Sequence, residues 1–309
     1  MTAHAASDRP LPAEAGRAAR AGTVRIGIAG WTYAPWRGVF YPKGLTQKRE
    51  LEYATGEFNS LEINGTFYGM QRPDAFADWA DRAPDGFMFA VKAPRFITHI
   101  RRLREVETPL ANFIASGLLR LGPKLGPILW QFPPSFRFDE ERIEAFLKLL
   151  PHDTKAAAEL GRTHDDRLKA PAFLEADERP MRHAFEIRNE TFRRQAFVDL
   201  LRKYDVALVC ADTVEWPRLM DLTSDFVYCR LHGSEQLYAS GYDDKALDDW
   251  AARVVVWAQG DEPADAERVG GEGRRHKRDV FVYFDNDTKV RAPFDAKALA
   301  ERVERALNG

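Results

Sequence analysis

Eight short β-branched or aromatic runs, separated for the most part by stretches of helical periodicity, predict an α/β fold of the (β/α)8 TIM-barrel class. Strand alternating with helix implies parallel strands, and eight such units suit a closed barrel. The rival arrangement is an open, doubly wound sheet. No G-x-G-x-x-G turn follows the first run, which weakens its dinucleotide-binding version. A length of 309 residues accommodates one barrel of about 250 residues with additions.

The runs are 24–29, 58–64, 87–92, 128–132, 183–188, 206–210, 226–232 and 280–284, each bounded by Gly, Pro, Asp or Asn. Helical spacing of apolar residues marks 47–55, 74–82, 109–121, 139–150, 193–204, 244–258 and 296–307. Only 211–225 lies between the sixth and seventh strands, and it includes Pro217. The barrel is therefore expected to be somewhat irregular, with a short or missing helix there. Two charge-rich stretches, near 153–180 and 260–278, are expected to be surface insertions. Residues 1–22 are rich in Ala and Arg and lack an apolar centre, so they read as a disordered leader, an organelle address being the alternative. That leaves a single barrel domain over 23–309.

Hydrophobic residues make up 45% of the chain and charged residues 30%, which supports a large core and excludes disorder along most of the length. A formal net charge of −2 excludes a surface that traps polyanions everywhere, while leaving room for a local basic groove. No apolar run reaches the length of a membrane span, so no membrane partner is expected. The two cysteines, Cys210 and Cys229, lie inside apolar runs. A disulfide scaffold or cysteine zinc site is not expected, and a cytoplasmic location is.

Side chains alternate along a strand, so one parity faces the helices and the other the barrel interior. With the apolar parity turned outward, the second strand sends Ser60, Glu62 and Asn64 inward, and the third sends Met88, Ala90 and Lys92. The fifth sends Ala184, Glu186 and Arg188, and the seventh Tyr228, Arg230 and His232. Gln131, Asp212, Tyr283 and Asp285 are offered by the same rule. The charged members gather at the carboxyl ends of the strands, where barrel enzymes build their sites. A lone buried ion costs several kcal/mol, so these charges must be paired, hydrated or waiting for a ligand.

Glu62 and Glu186 are candidates for a general acid/base pair, the alternative being that they simply neutralise Lys92 and Arg230. Lys92 could be a Schiff-base nucleophile, an anion clamp or an ion-pair partner. Nearby acids are expected to raise its pKa, which favours the last two. Arg188 and Arg230 carry planar forks suited to carboxylate or phosphate. His232 precedes Gly233 and Ser234 at the seventh βα loop, where Gly233 would let a phosphate approach the backbone, unless the tripeptide is only a capping turn. Trp31, Tyr33, Trp36, Phe67, Tyr68, Phe132, Phe136, Trp216, Tyr238 and Tyr242 crowd the predicted upper loops, as stacking surfaces or as plugs. Arg101, Arg102 and Arg104 follow the third strand on the mouth side, whereas the basic run 274–278 precedes the eighth and reads as a solvated face. Of seven histidines only His99 and His232 can reach the mouth, so no metal and no cofactor is expected.

The motifs together resemble the YecE-like family, also called domain-of-unknown-function family 72. They are I-G-I-A-G-W-T-Y-A-P-W with F-Y-P (26–36, 40–42), L-E-I-N-G-T-F-Y (61–68), F-M-F-A-V-K with T-H (87–92, 98–99) and L-W-Q-F-P-P-S-F (129–136). F-E-I-R (185–188), Y-C-R-L-H-G (228–233) and V-Y-F-D-N-D (282–287) follow in the family's order. The resemblance covers about 24–300 and implies a (β/α)8 barrel of no established activity. Departures are Ala29 where a serine or threonine often stands, and Asp285-Asn286-Asp287 where the family usually shows N-N-D or a similar run. The fold implied is also similar to metal-dependent endonuclease barrels, whose many metal ligands this histidine supply does not match.

The leading expectation is an enzyme with hydrolase- or lyase-like acid/base chemistry on a small or polymeric anionic ligand, such as a phosphate-bearing sugar or nucleotide. Lys92, Arg188 and Arg230 would hold the anion and Glu62 and Glu186 would move protons. Asn64, Gln131, Asp212, His232, Asp285 and Asn286 would orient the ligand, with Trp31, Tyr33, Phe67 and Tyr68 around it. The alternative is a non-catalytic nucleic-acid- or ligand-binding protein using the same mouth; a third reading makes the charged interior purely structural.

Overall fold

The computed structural model describes residues 21–173, 178–233 and 237–309; residues 1–20 of the expected leader and Ser234 lie outside them. Its strands are β1 Val24–Ala29, β2 Ser60–Ile63, β3 Met88–Lys92, β4 Leu125–Gln131, β5 His183–Glu186, β6 Ala207–Asp212, β7 Phe226–Leu231 and β8 Asp279–Phe284. Each pairs in parallel with its sequence neighbours, and β8 closes on β1. The predicted (β/α)8 barrel is therefore the observed one.

Helices follow in order: α1 Glu50–Glu57, α2 Gly65–Tyr68, α3 Pro73–Arg82, α4 Glu107–Ala115, α5 Glu140–Leu147, α6 Thr154–Gly161, α7 Gln195–Lys203, α8 Asp244–Gln259 and α9 Ala292–Asn308. Aspartate N-caps start three of them, with Asp139, Asp153 and Asp243 accepting from the backbone N–H of Arg142, Ala156 and Ala246. No described helix is long and apolar enough to cross a membrane.

The strand parity read from the sequence organises two cores. Ile28, Leu61, Ile63, Phe89, Val91, Phe185, Cys229 and Leu231 belong to the outer core beneath the helices. Ala90, Leu129, Ala184, Ala207, Val209, Phe226, Tyr228, Phe281 and Tyr283 fill the barrel itself. Bulk is distributed unevenly inside: aromatic rings come from β7 and β8, while β3, β5 and β6 contribute alanines. Large side chains thus meet small ones across the axis, which is how a closed barrel fills without strain. On β1 the inward position is Gly27, where a Cβ would stand 1.8 Å from the Ser60 carbonyl oxygen. Ser60 Oγ and the Tyr283 hydroxyl lie 2.6 Å apart and bond within this layer.

No helix covers β6 before β7. Instead Leu219, Met220 and Leu222 of the connecting chain are buried against the outer core, and Thr223 Oγ1 bridges the Leu208 N–H and the Val206 carbonyl. The stretch 260–278 then backs this connection. Met220 N–H donates to the Glu267 carbonyl at 2.8 Å, and Asp221 accepts from Val269 and Gly270 N–H, the latter at 2.7 Å. A charged loop occupies the place a helix would have taken. The basic run at its end is not wholly solvated, either: Arg278 is buried and donates to the carbonyls of Ser224, His276 and Arg274. The 153–180 stretch likewise contains a helix, α6, with Thr154, Ala157, Ala158 and Gly161 buried.

Candidate functional site

Arg230, on β7 and fully buried, is the hub of the barrel mouth. Its Nε donates to Glu62 Oε2 at 3.1 Å and its Nη2 to Glu62 Oε1 at 2.9 Å and Asp285 Oδ2 at 2.8 Å. Nη1 donates to Glu186 Oε2 at 2.7 Å. One guanidinium thus holds three carboxylates delivered by β2, β5 and the end of β8. Glu62 and Glu186 accept further hydrogen bonds. Tyr228 donates its hydroxyl to Glu62 Oε2 at 2.6 Å, and Gln131 Nε2 donates to Glu186 Oε1 at 2.9 Å. Arg188 Nε donates to the same Glu186 oxygen at 2.7 Å.

Electrostatics follow from this wiring. Burial pushes the Glu186 carboxyl up, but Arg188, Arg230, His232 and Lys92 outweigh it and hold it well below the usual carboxylate range. Burial likewise opposes ionisation of Asp285, and Arg230, His232 and Lys92 overcome it. His232 is pushed down by burial and by Arg230, against the pull of Asp285 and Glu186. Its Nδ1 lies 3.2 Å from Asp285 Oδ2, but neither ring nitrogen makes an aligned hydrogen bond among the described residues. Trp216 packs edge-on against His232 and beneath the Arg188 guanidinium, 4.1 Å from its ring centre.

Glu62 and Glu186 therefore neutralise Arg230 rather than Lys92, and both are sealed by hydrogen bonds. A role in proton transfer would require breaking that network. Lys92 corrects the sequence reading most sharply. Its ammonium makes no hydrogen bond or ion pair among the described residues and sits 4.3 Å from the Phe67 ring centre. Burial and then Arg230 push its pKa down to about 8, against Asp285, Glu62 and Glu186, where proximity of acids had suggested a rise. The acids are near, but Arg230 has taken them. His99, beside Phe67, feels burial and then the fields of Lys92 and Arg188 and is pushed down to about 4.

A family model described as "Protein of unknown function DUF72" matches residues 25–309. The chain belongs to the DUF72 family. Similar curated proteins are the UPF0759 protein YecE of Escherichia coli K12 and the UPF0759 protein YunF of Bacillus subtilis 168. YecE is 28% identical over 113 residues, 37% of this chain and 39% of that protein. YunF is 28% identical over 134 residues, 42% and 46% of the two chains. Each match thus spans less than half of the relative. Crystal structures of DUF72 family proteins share the fold. One from Thermotoga maritima MSB8 superposes with TM-score 0.66 at 22% identity, covering 91% of this chain and 99% of that one. One from Enterococcus faecalis V583 gives 0.63 at 17% identity, over 91% and 96%.

Other expected members of the DUF72 mouth divide into two groups. Tyr33 and Asn64 stand at the rim: the Tyr33 hydroxyl donates to the Ala29 carbonyl at 2.6 Å and is within reach of Asn64 and Asp287. Phe67 is buried under Lys92, and Tyr68 projects into solvent. The second group points elsewhere. Asp212 belongs to β6 and shares the parity of Leu208 and Cys210, so it faces the helices and accepts from Trp250 Nε1 and Arg218. Trp31 packs edge-on against Trp79 of α3, a plug rather than a platform. Asn286 turns its amide to the Ser240 carbonyl and Asp295. Gly233 has a φ of +111°, which favours glycine, but its N–H is taken by the Tyr242 hydroxyl at 3.1 Å. Among the described residues no group of His, Cys, Asp or Glu is arranged to hold a metal ion.

Sequence reasoning named Trp216 and Tyr238 only as stacking surfaces or plugs, and it did not single out Asp287 as a site residue. Asp287 is half-buried beside Tyr33, and burial followed by the charge of Asp285 pushes it up to about 6. The signal was the second acid of D-N-D, which strand parity places on the same side as Asp285.

Proposed function

We propose that the DUF72 mouth binds a small anionic ligand and acts on it by acid–base chemistry. The observation that carries this reading is a Lys92 ammonium left without an ion-pair partner, among the described residues, beside a network that has taken the nearby carboxylates. Lys92 Nζ has no acceptor among the described residues, and Arg188, whose Nε and Nη2 both lie 2.7 Å from Glu186 Oε1, has none there for Nη1. A hydrogen bond to a charged group contributes about 1.5–3 kcal/mol, so an incoming carboxylate or phosphate gains by supplying the acceptor that the fold does not. Asp287, poised near neutrality at about 6, replaces Glu62 and Glu186 as the group suited to moving a proton. Asp285 Oδ1, outside the Arg230 contact, offers an acceptor for a ligand hydroxyl.

A second reading, a polymeric anion, rests on two adjoining grooves. One of about 540 Å³ is lined by Phe67, Tyr68, Arg95, Phe96, Arg101 and Arg167 among others. The next, about 440 Å³, is lined by Ile100, Arg101, Arg102, Arg104, Glu105 and Arg142. Exposed Tyr68 and Phe96 beside arginines suit stacked bases.

Calorimetric titration with orthophosphate, ribose 5-phosphate and a single-stranded oligonucleotide tests both. Binding of a small phosphate that Arg188→Gln weakens by about tenfold or more supports the first reading. Steeply salt-dependent oligonucleotide binding, reduced by Arg101→Ala and indifferent to Arg188→Gln, supports the second. No binding of any of the three at millimolar concentration overturns both.

A further inference from the structure

A cation intended only to clamp an anion is best kept charged, by carboxylates in contact and by water. Lys92 has neither. It is buried, its Nζ meets the face of Phe67 at 4.3 Å, and every nearby carboxylate is bonded to Arg230. Arg230 itself adds a repelling charge. An apolar wall and a cationic neighbour are the two devices that turn a lysine into an amine nucleophile. Arg188 supplies a separate anion donor at the same mouth, so the ligand can be held without committing the amine.

From this geometry we infer that Lys92 is an imine-forming nucleophile for a small carbonyl compound that carries a carboxylate or a phosphate. The inference rests on the anion-site reading above and goes one step beyond it. The neutral Nζ attacks the carbonyl carbon; the new C–N bond forms as the C=O π pair moves to oxygen. The proton leaving nitrogen passes to that oxygen and gives the carbinolamine. Protonation of its hydroxyl and loss of water then leave a protonated imine, so amine, carbonyl compound and one proton become iminium and water. Solvent at the mouth supplies that proton. With its pKa near 8, Lys92 presents about two hundredfold more neutral amine at pH 7.5 than an ordinary lysine.

The test is reductive trapping on the full chain. Protein is incubated at about pH 7.5 with pyruvate or with dihydroxyacetone phosphate, reduced with borohydride, and mapped by peptide mass spectrometry. The expected result is one adduct at Lys92, formed at least about tenfold faster than at exposed Lys43 or Lys48, with its mass telling carboxylate from phosphate. Lys92→Met, melting at or above the parent temperature, loses that adduct. Absence of an adduct at Lys92 with both probes, or labelling no faster than at Lys43, overturns the inference. Orthophosphate binding separates the two levels. Arg188-dependent binding without an adduct removes only the imine step, and failure of both removes the anion site as well.

Discussion

At the residue scale, the two buried cations of the mouth are opposites. Arg230 is held by three carboxylates, and removing it leaves Glu62, Glu186 and Asp285 facing one another in the interior. Arg230→Met is expected to destabilise the protein by about 3–5 kcal/mol, read as a lower urea midpoint. Lys92 is a charge without a partner, and its folded pKa near 8 lies below the ordinary 10.5. Below pH 8 the unfolded state accommodates the proton better, so the native ammonium is a liability there. Lys92→Met should therefore raise stability at pH 7 by on the order of 1–3 kcal/mol while abolishing imine formation. An unchanged midpoint for Arg230→Met, or a clear loss for Lys92→Met, contradicts this division. Sequence parity brought all of these residues to one mouth. It did not reveal how three acids would be shared between two strands' cations, because that depends on side-chain reach: the longer, forked guanidinium spans Glu62, Glu186 and Asp285 together.

At the element scale, the eight strands were legible because each carries one apolar and one mixed parity between Gly, Pro, Asp or Asn punctuation. β6 was the exception. Ala207, Val209 and Ala211 on one face and Leu208 and Cys210 on the other are all apolar, so its alternation gave no direction. The strand also runs on to Asp212, carrying that side chain to the helix side. The missing helix was legible from Pro217 and a short connection; its substitute was not, because 260–278 is polar in composition and works through backbone groups. Asp221→Ala removes the acceptor for Val269 and Gly270 N–H. Tryptic cleavage after exposed Arg274 and Arg275 should quicken severalfold, with a stability loss of about 1–3 kcal/mol and far-ultraviolet dichroism retained. An unchanged cleavage rate would show that the loop does not depend on this carboxylate.

At the scale of the whole molecule, the coupled carboxylates set the response to acid. Glu186 and Asp285 have folded pKa values below their ordinary 4.5 and 3.8, so their contribution is complete above those values and disappears as pH falls through the depressed ones. Asp287, raised to about 6, works the other way and gains the folded state a little between pH 6 and 4. Asp221 and Asp295, also raised by burial, add to that trend. The melting temperature should therefore hold nearly level from pH 7 to 5 and drop steeply below about 4.5. A level profile down to pH 3 would mean that the network contributes little to folding.

The Arg230 assembly also limits depth. With Tyr228, Gln131 and four ions locked across the bore, a guest entering from above meets a floor at the level of Lys92. Selectivity among guests must then come from the βα loops around the edge of that floor. Exchanging those loops, while leaving the staves untouched, is the route by which one ionic floor could serve different chemistries.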